Sequence, residues 1–271
     1  MPERKRKRLA RIGTILAVGL LIGFVSFPLL SGVVAPVVPN AVLSPIGAHM
    51  VTTTAESAPL CSGEAGTAAL NKLATKLATA SGSDREFKIY VAKADELNAF
   101  AAPGGHIVLY KAILDHARSP NEVAGVLAHE MGHVVEDHPA KAVVEAFGYN
   151  IFGLLVPGSD STTSEVAKTL LTSAHSRADE LDADRVGVQM LNAAELDSHG
   201  LIGFFKTLDE GGNKIPGALQ FLSTHPAGDT RTNSLQDFVQ DGAPAMTPDE
   251  WASFKAICDT TGNAEPVTVG G

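Results

Sequence analysis

An H-E-x-x-H sequence, running from His129 to His133, limits the possible structure and chemistry of this chain more than any other feature. It lies in an apolar stretch that predicts one continuous helix, and helical side chains four residues apart point in nearly the same direction. Two imidazoles on one helix face provide half of a tetrahedral zinc site, and Glu130 on the shoulder of that face can reach a water molecule on the metal. The segment from Ser119 to Glu122 is a capping box with proline in the first turn, so the helix should begin there. The alternative is a pair of histidines on a solvated helix face.

A second helical pattern supplies a candidate for the missing ligand. Glu180 lies 47 residues after His133, and it shares a helix face with Asp184, four residues further on. A zinc peptidase needs a third protein ligand and an open fourth position, so we assign Glu180 as the third ligand. Asp184 is then expected to accept a hydrogen bond from the second nitrogen of a ligand imidazole. The alternative is an ordinary charged surface helix.

The order and content of these motifs resemble a known group of enzymes. His129 to His133 followed by Glu180 and Asp184 is similar to the gluzincin metallopeptidases of the HtpX and BepA type, a family that also includes the CaaX prenyl proteases. Three further segments resemble, in order, the family's substrate strand, its approach to the zinc helix and its His-Pro segment: Asn98–Leu109, Asn121–Ala128, and Thr224-His225-Pro226 with Arg231. The resemblance covers roughly residues 60–240. It implies a single Zn²⁺ per chain and an endopeptidase that cuts unfolded, damaged, membrane or envelope proteins.

The proposed chemistry gives roles to two further side chains. Glu130 would take a proton from the attacking water and return it to the departing amine. The oxyanion needs a second donor, for which His225 is the candidate, with Arg231 as its neighbour. Two alternatives stay open for His225: a latch that occupies the fourth metal position until substrate displaces it, or an ordinary loop histidine.

Hydrophobic periodicity predicts an α+β fold that is predominantly helical, with a small antiparallel sheet before the H-E-x-x-H helix. The resemblance implies a zincin-like domain. The strand His106–Tyr110 is predicted to be a sheet edge to which an extended substrate adds as another strand. The expected substrate-binding residues are Gly105, His106, Ile107 and Val108. The alternative is a core strand with both edges covered.

The N-terminal residues predict a membrane anchor. Residues 1–11 carry a net charge of +5, and Ile12 to Leu30 is a run of 19 residues without a charge. A transmembrane helix needs about 20 such residues, and the basic flank favours the cytoplasm. The catalytic domain should therefore lie on the periplasmic side of a bacterial-type inner membrane; the alternative is a cleaved signal segment that releases the protein into the periplasm. The predicted order is a basic segment (1–11), an anchor (12–38), a linker (39–60), the peptidase domain (61–258) and a flexible tail (259–271).

The net charge bears on the possible binding partners, and the two cysteines bear on a possible disulfide. The chain has a net charge of −9, so the part outside residues 1–11 carries −14, which argues against a nucleic-acid partner. Cys61 and Cys258 are the only cysteines. Outside the cytoplasm they could form one disulfide, and two unpaired buried thiols are the alternative.

Two other functional classes remain open from the sequence. One is a non-proteolytic periplasmic chaperone or binding module that uses the same cleft without cutting. The other is a structural metal protein, but such a site would need a fourth protein ligand, and no cysteine lies nearby in the sequence.

Overall fold

The computed structural model describes residues 30–154, 170, 175–211, 215, 217–225, 229–262 and 264–270. These residues form a mostly helical α+β fold with one small sheet. The helices are α1 (Asn40–Ser57), α2 (Glu64–Ser81), α3 (Lys111–His116), α4 (Pro120–Val135), α5 (His138–Leu154), α6 (Arg177–Ala193), α7 (Gly200–Gly211), α8 (Ala218–Thr224), α9 (Asp229–Leu235) and α10 (Pro248–Lys255). The strands are β1 (Glu86–Ala92), β2 (Ala99–Ala102), β3 (His106–Tyr110) and β4 (Val267–Gly270). Short 3-10 helices are Ala35–Val37 and Ile257–Asp259.

The predicted basic segment and residues 12–29 of the predicted anchor lie outside the described residues. Within the described part of the chain, no single helix has both the length and the apolarity to cross a bilayer. One helix pair, Leu30–Val37 and Asn40–Ser57, meets those two criteria together, but it is bent by 98°.

Residues 39–60 do not form the predicted linker, because most of them belong to α1. Leu43, Ile46 and Met50 are buried, and their spacing of three and four residues places them on one helix face. The proline, threonine and alanine content suggested an irregular segment, but this apolar face packs against the rest of the fold and stabilises the helix.

The sheet has the strand order β2-β3-β1-β4 and is mixed. β3 pairs parallel with β1 and antiparallel with β2, while β4 pairs antiparallel with β1. The prediction of a purely antiparallel sheet is therefore wrong, because the chain crosses over between β1 and the β2–β3 hairpin and brings β3 alongside β1 in the same direction. The prediction that β3 is an edge strand is also wrong, since β3 has a partner on each side. Its four predicted substrate-binding residues, Gly105, His106, Ile107 and Val108, are buried.

The hairpin between β2 and β3 depends on two glycines. Gly104 and Gly105 have φ angles of 78° and 80°, a region that side chains with a Cβ rarely adopt. A Cβ on Gly105 would also lie 2.0 Å from the carbonyl oxygen of Glu86. The turn predicted from the Pro-Gly-Gly sequence therefore forms, and it sets the length of the edge strand β2.

The end of the chain is a strand where a flexible tail was expected. Val267 and Val269 of β4 point into the core, and they are 5 % and 7 % exposed. The alternation of valine with polar residues over four positions was too short to distinguish from a tail. Its pairing with β1 gives the strand a buried face, so Val267–Gly270 is part of the sheet.

The helix that carries the H-E-x-x-H sequence is central to the core. α4 packs against α6 and α7, and it also contacts β2. Most of α4 is buried from Glu122 to Val134. A polar side chain buried on such a helix costs free energy unless a partner satisfies it, so polar residues on α4 point to a function.

His106 joins α1 to the sheet. Its ring is 4 % exposed, stacks on Tyr90 and lies 3.3 Å from both the Tyr90 hydroxyl and Oγ of Ser44. Burial, assisted by the charge of Lys88, lowers the pKa of His106 to about 4. This histidine is therefore a neutral packing residue.

That lowered pKa predicts a pH-dependent stability. Between the unfolded and folded pKa values the unfolded chain binds the extra proton, so stability is lost as the pH falls. From about pH 7 to about pH 5, wild type should lose about 2 kcal/mol more unfolding free energy than His106→Gln. Urea denaturation of both proteins at the two pH values measures the difference. Equal losses in the two proteins would contradict this reading of His106.

A disulfide joins Cys61 to Cys258, confirming the predicted pairing. It links Cys61, three residues before α2 begins, to the 3-10 helix Ile257–Asp259, across 197 residues of sequence. The disulfide therefore ties two segments that are far apart in the sequence.

Candidate metal centre

Side-chain caps fix where the two helices of the site begin. Oγ of Ser119 accepts a hydrogen bond from the N–H of Glu122 at 3.3 Å, but the Glu122 carboxylate turns to the N–H of Arg118, at 2.9 Å. The predicted capping box of α4 is thus only half formed. α6 has a complete box, in which Ser176 and Asp179 bond reciprocally.

Two imidazoles on α4 form the first half of the site. His129 and His133 are one helical turn apart, and they are 2 % and 0 % exposed. Their Nε2 atoms lie 3.1 Å from each other. The helix thus brings the two predicted ligand nitrogens to a single point.

α6 brings a carboxylate to the same point. Oε1 of Glu180 lies 3.4 Å from Nε2 of His133, and Oε2 lies 3.6 Å from Nε2 of His129. Glu180 is fully buried. On the same face of α6, Oδ1 of Asp184 lies 2.9 Å from Nδ1 of His129, so the predicted carboxylate stands behind this imidazole.

His225, at the end of α8, adds a third imidazole. Its Nδ1 is 3.3 Å from Nε2 of His129 and 3.3 Å from Oε1 of Glu180. Its Nε2 donates a hydrogen bond to the carbonyl oxygen of Ala99 in β2, at 3.2 Å. The ring therefore connects the candidate ligands to the edge strand.

The spacing of these four side chains fits a zinc ion. A tetrahedral zinc with bonds of about 2.05 Å has its ligand atoms about 3.3 Å apart. Four of the separations given above are between 3.1 and 3.4 Å. The ligand atoms of His129, His133, Glu180 and His225 all lie within 4.8 Å of one another. Imidazole nitrogen and carboxylate oxygen are also the ligand types that zinc takes in hydrolases.

The charges of the side chains in the site also favour a bound cation. Burial raises the pKa of the Glu180 carboxyl, but the surrounding imidazoles outweigh it and hold that pKa well below its ordinary value. Burial lowers the pKa of His225, but the carboxylates of Glu130 and Glu180 outweigh it and raise that pKa to about 9. Three buried carboxyl groups, Glu130, Glu180 and Asp184, thus face one buried guanidinium, Arg231, and a divalent cation would balance the remaining negative charge more fully than one imidazolium.

The two helices can meet this closely because α4 has a glycine at the contact. A Cβ on Gly132 would lie 2.5 Å from the carbonyl oxygen of Ala183 in α6. α6 also has a glycine at the contact: a Cβ on Gly187 would lie 3.0 Å from the carbonyl of Ala128 in α4. Small residues at the crossing therefore set the distance between the histidines and Glu180.

A single methyl group at this crossing should weaken metal binding. Gly132→Ala forces the helices apart, and ligands need to be held within about 0.5 Å of their productive geometry. We expect zinc affinity, measured by competition with a chelator, to fall by about 10- to 100-fold. Gly203→Ala in α7 is the control, because its Cβ would meet only the Glu122 side chain, at 3.3 Å. Unchanged affinity in Gly132→Ala would show that the crossing does not position the ligands.

Glu130 lies beside the cluster without belonging to it. It is fully buried, and within the described structure neither carboxylate oxygen has a hydrogen-bond partner. Its Oε1 is 3.6 Å from Nε2 of His225. Burial raises the pKa of Glu130, partly offset by the charges of His225 and His129. A carboxylate with a raised pKa and uncommitted oxygens is suited to accept a proton.

Arg231, on α9, clamps the two acidic residues of α6. Its Nε and Nη2 donate to the two oxygens of Asp184, at 2.7 and 2.6 Å. Its Nη1 lies 2.6 Å from Oε2 of Glu180. The pairing is bidentate, so it fixes the orientation of Asp184 behind His129.

Two further histidines lie at the site, and no sequence motif pointed to a role for either of them. The ring of His175 stacks on His133 with their centroids 4.1 Å apart, and burial lowers its pKa to about 3. Nδ1 of His138 is 2.9 Å from Nδ1 of His133. On a continuous helix His138 would point away from His133, but α4 ends at Val135, so helical spacing no longer applies.

Comparison with known proteins places the site in a family. Residues 64–239 match the model of Peptidase family M48. The Beta-barrel assembly-enhancing protease of Escherichia coli (strain K12) is 28 % identical over 232 residues, covering 80 % of this chain and 48 % of that protein. Its counterpart in Yersinia pestis is 27 % identical over 219 residues, covering 74 % and 45 %. The Mitochondrial metalloendopeptidase OMA1 of Schizosaccharomyces pombe is 26 % identical over 167 residues, covering 60 % and 50 %.

The chain spans about half the length of the curated relatives it matches. The matched segment contains all four candidate ligands, and it covers well over half of this sequence. The protein therefore belongs to peptidase family M48.

Proposed function

We propose that the protein is a zinc-dependent endopeptidase that cuts unfolded, damaged, membrane or envelope proteins as part of protein quality control. One observation carries the proposal: four buried ligand atoms at tetrahedral spacing lie next to a buried carboxylate, Glu130, whose oxygens have no hydrogen-bond partner in the described structure. The names of the relatives, which are proteases and metalloendopeptidases, support the same class of reaction.

In the proposed mechanism, His129, His133 and Glu180 hold the metal. Zinc in such a site acidifies water and polarises a carbonyl group. Glu130 accepts the proton of the attacking water on a carboxylate oxygen and then delivers it to the nitrogen of the departing amine. Asp184, oriented by Arg231, keeps His129 in the tautomer that leaves Nε2 free for the metal.

The edge strand β2 is the proposed substrate platform. It lies against α4, and among the described residues it pairs with a strand on one side only. An extended peptide could add to its other side through backbone hydrogen bonds, which do not read the substrate sequence. Such recognition suits unfolded chains. The platform is therefore one strand away from the residues of β3 that the sequence suggested.

His225 is better suited to a latch than to an oxyanion donor. Its Nδ1 lies among the ligand atoms, and its Nε2 uses the carbonyl of Ala99 that a substrate strand would need. One ring therefore covers both the fourth metal position and the platform.

The latch predicts a gain of activity when the ring is removed. His225→Ala should raise turnover of an unfolded reporter protein by about 3- to 10-fold. Only molecules with an open site bind substrate, so the apparent affinity of the wild type for substrate is reduced in proportion to the fraction of open molecules. Turnover is followed by fluorescence, and zinc content is measured on the same sample. Lost turnover with zinc retained would assign His225 as the oxyanion donor instead, and unchanged turnover would remove both roles.

Fragment analysis tests the endopeptidase proposal itself. The zinc-loaded protein should cut a permanently unfolded reporter at internal bonds, so mass spectrometry should detect new N-termini inside the sequence. Release of terminal residues alone, or no fragments, would contradict the proposal.

We also propose that the chain is anchored in an inner membrane through residues 12–38, with its catalytic domain outside the cytoplasm. The basic residues 1–11 and the disulfide support this, because disulfides persist in oxidising compartments. The protein should stay in the membrane fraction after alkaline carbonate washing, and protease added to spheroplasts should digest it. A soluble periplasmic form would support signal cleavage.

A further inference from the structure

The turn between α4 and α5 places a histidine behind one of the proposed ligands. His138 is 6 % exposed, and its Nδ1 lies 2.9 Å from Nδ1 of His133. Its Nε2 lies 3.5 Å from Oδ1 of Asp179, which also accepts a hydrogen bond from Nζ of Lys141 at 2.8 Å. The contacts therefore form a chain from the helix surface to the metal centre.

Only one arrangement of protons satisfies this chain. Nε2 of His133 faces the other ligand atoms and must keep its lone pair to bind a metal, so the proton of His133 is on Nδ1. Nδ1 of His138 must then accept that proton in the hydrogen bond. The proton of His138 is left on Nε2, on the side of Asp179.

The two ligand histidines of α4 are therefore supported differently. Behind His129 lies the carboxylate of Asp184, whose Oδ1 is 2.9 Å from Nδ1 of the ring. Among the described residues, the carboxylate contact of His133 is made through its Nε2, and the His138 ring lies at its Nδ1. Each ligand ring needs such a partner, because the partner fixes the tautomer and the ring orientation.

The backbone at the turn is shaped for this contact. Asp137 has a φ angle of 57°, in the left-handed region, and its carboxylate accepts a hydrogen bond from Nη2 of Arg85 at 2.6 Å. The left-handed residue ends α4 and reverses the chain, so His138 returns toward His133. A residue in this sparsely populated backbone region that is held in place by a charged partner is a feature that clusters at functional sites.

We propose that His138 is a positioning residue of the metal centre, which accepts a hydrogen bond from His133 and holds that ring in its metal-binding orientation. The inference rests on the zinc site of the proposed function, but it concerns metal binding and does not require that the protein cut peptides.

Two substitutions separate positioning from packing. His138→Leu fills similar space but cannot accept a hydrogen bond. His138→Asn places an amide oxygen where Nδ1 stood, because both atoms are bonded to Cγ. His116→Leu, at the end of α3, is the control for losing a histidine elsewhere.

The zinc dissociation constant, measured on the full chain by chelator competition, should rise by about 10- to 100-fold in His138→Leu. In His138→Asn and His116→Leu it should stay within about threefold of wild type. A role in packing alone predicts equal effects of Leu and Asn, so equal effects would overturn the proposal. Wild-type affinity in His138→Leu would overturn it as well.

Nitrogen-15 NMR of the zinc-loaded wild type settles the question even if His138→Leu fails to fold. The proposal predicts a proton on Nδ1 of His133 and on Nε2 of His138. A proton on Nδ1 of His138 would contradict it. A protein that binds zinc with these tautomers but cuts no reporter would overturn the proposed function and leave the role of His138 intact.

Discussion

Glu130→Gln is expected to lower turnover of an unfolded reporter by about 100- to 10,000-fold while the protein still binds zinc. The amide has nearly the shape of the carboxylate but cannot accept the proton of the attacking water. Glu130 is also outside the group of ligand atoms, so zinc content should not change. Initial rates and metal analysis on the same preparation test both halves of the prediction.

Glu136→Gln is the matched control. Glu136 directly follows the last residue of the same helix and lies at the surface, where it pairs with Arg185 at 3.3 Å. Its substitution should leave turnover within about twofold of wild type, as for most surface changes. Loss of zinc from Glu130→Gln would place Glu130 among the ligands, and retained turnover would remove it as the base.

The same variant separates a peptidase from a chaperone. If the protein only holds unfolded chains, wild type and Glu130→Gln should protect a reporter from aggregation equally and neither should produce fragments. The proposed function predicts fragments from wild type and a stable complex with the variant. Substrates captured in that complex would then identify the natural clients.

Removing the disulfide is expected to cost about 5 kcal/mol of unfolding free energy. In the loop-entropy model the loss grows with the number of residues in the closed loop, and this one closes 197. Urea denaturation of wild type and of the Cys61→Ala/Cys258→Ala variant measures it. Reduced wild type is the control for the small cavity that alanine leaves, and it should unfold close to the variant.

A loss below about 1 kcal/mol would show that the crosslink does not restrict the unfolded chain in the expected way. The zinc content of the folded variant should be unchanged, because neither cysteine belongs to the metal site.

Local sequence patterns predicted the parts of the fold that depend on local geometry. Helical spacing was enough to place His129 and His133 on one face, and Glu180 with Asp184 on another. Pro-Gly-Gly was enough to predict the turn at Gly104 and Gly105. In each case the relevant separation is four residues or fewer, so the backbone itself determines the outcome.

The features that were missed depend on contacts between distant parts of the chain. Strand order decides that β2 is the edge and β3 is not, and hydrophobic alternation is the same in either case. β4 is too short to form without β1 beside it. The position of His138 was not predicted, because it depends on the left-handed backbone of Asp137. Helical spacing does not apply across such a turn.

The central claim is that His129, His133 and Glu180 bind one zinc ion. X-ray diffraction from crystals of the zinc-loaded protein, measured on both sides of the zinc absorption edge, tests it most directly. The account predicts a single strong anomalous peak about 2 Å from the nitrogens of both histidines and from an oxygen of Glu180. A zinc peak elsewhere, or none in protein shown by chemical analysis to contain zinc, would contradict it.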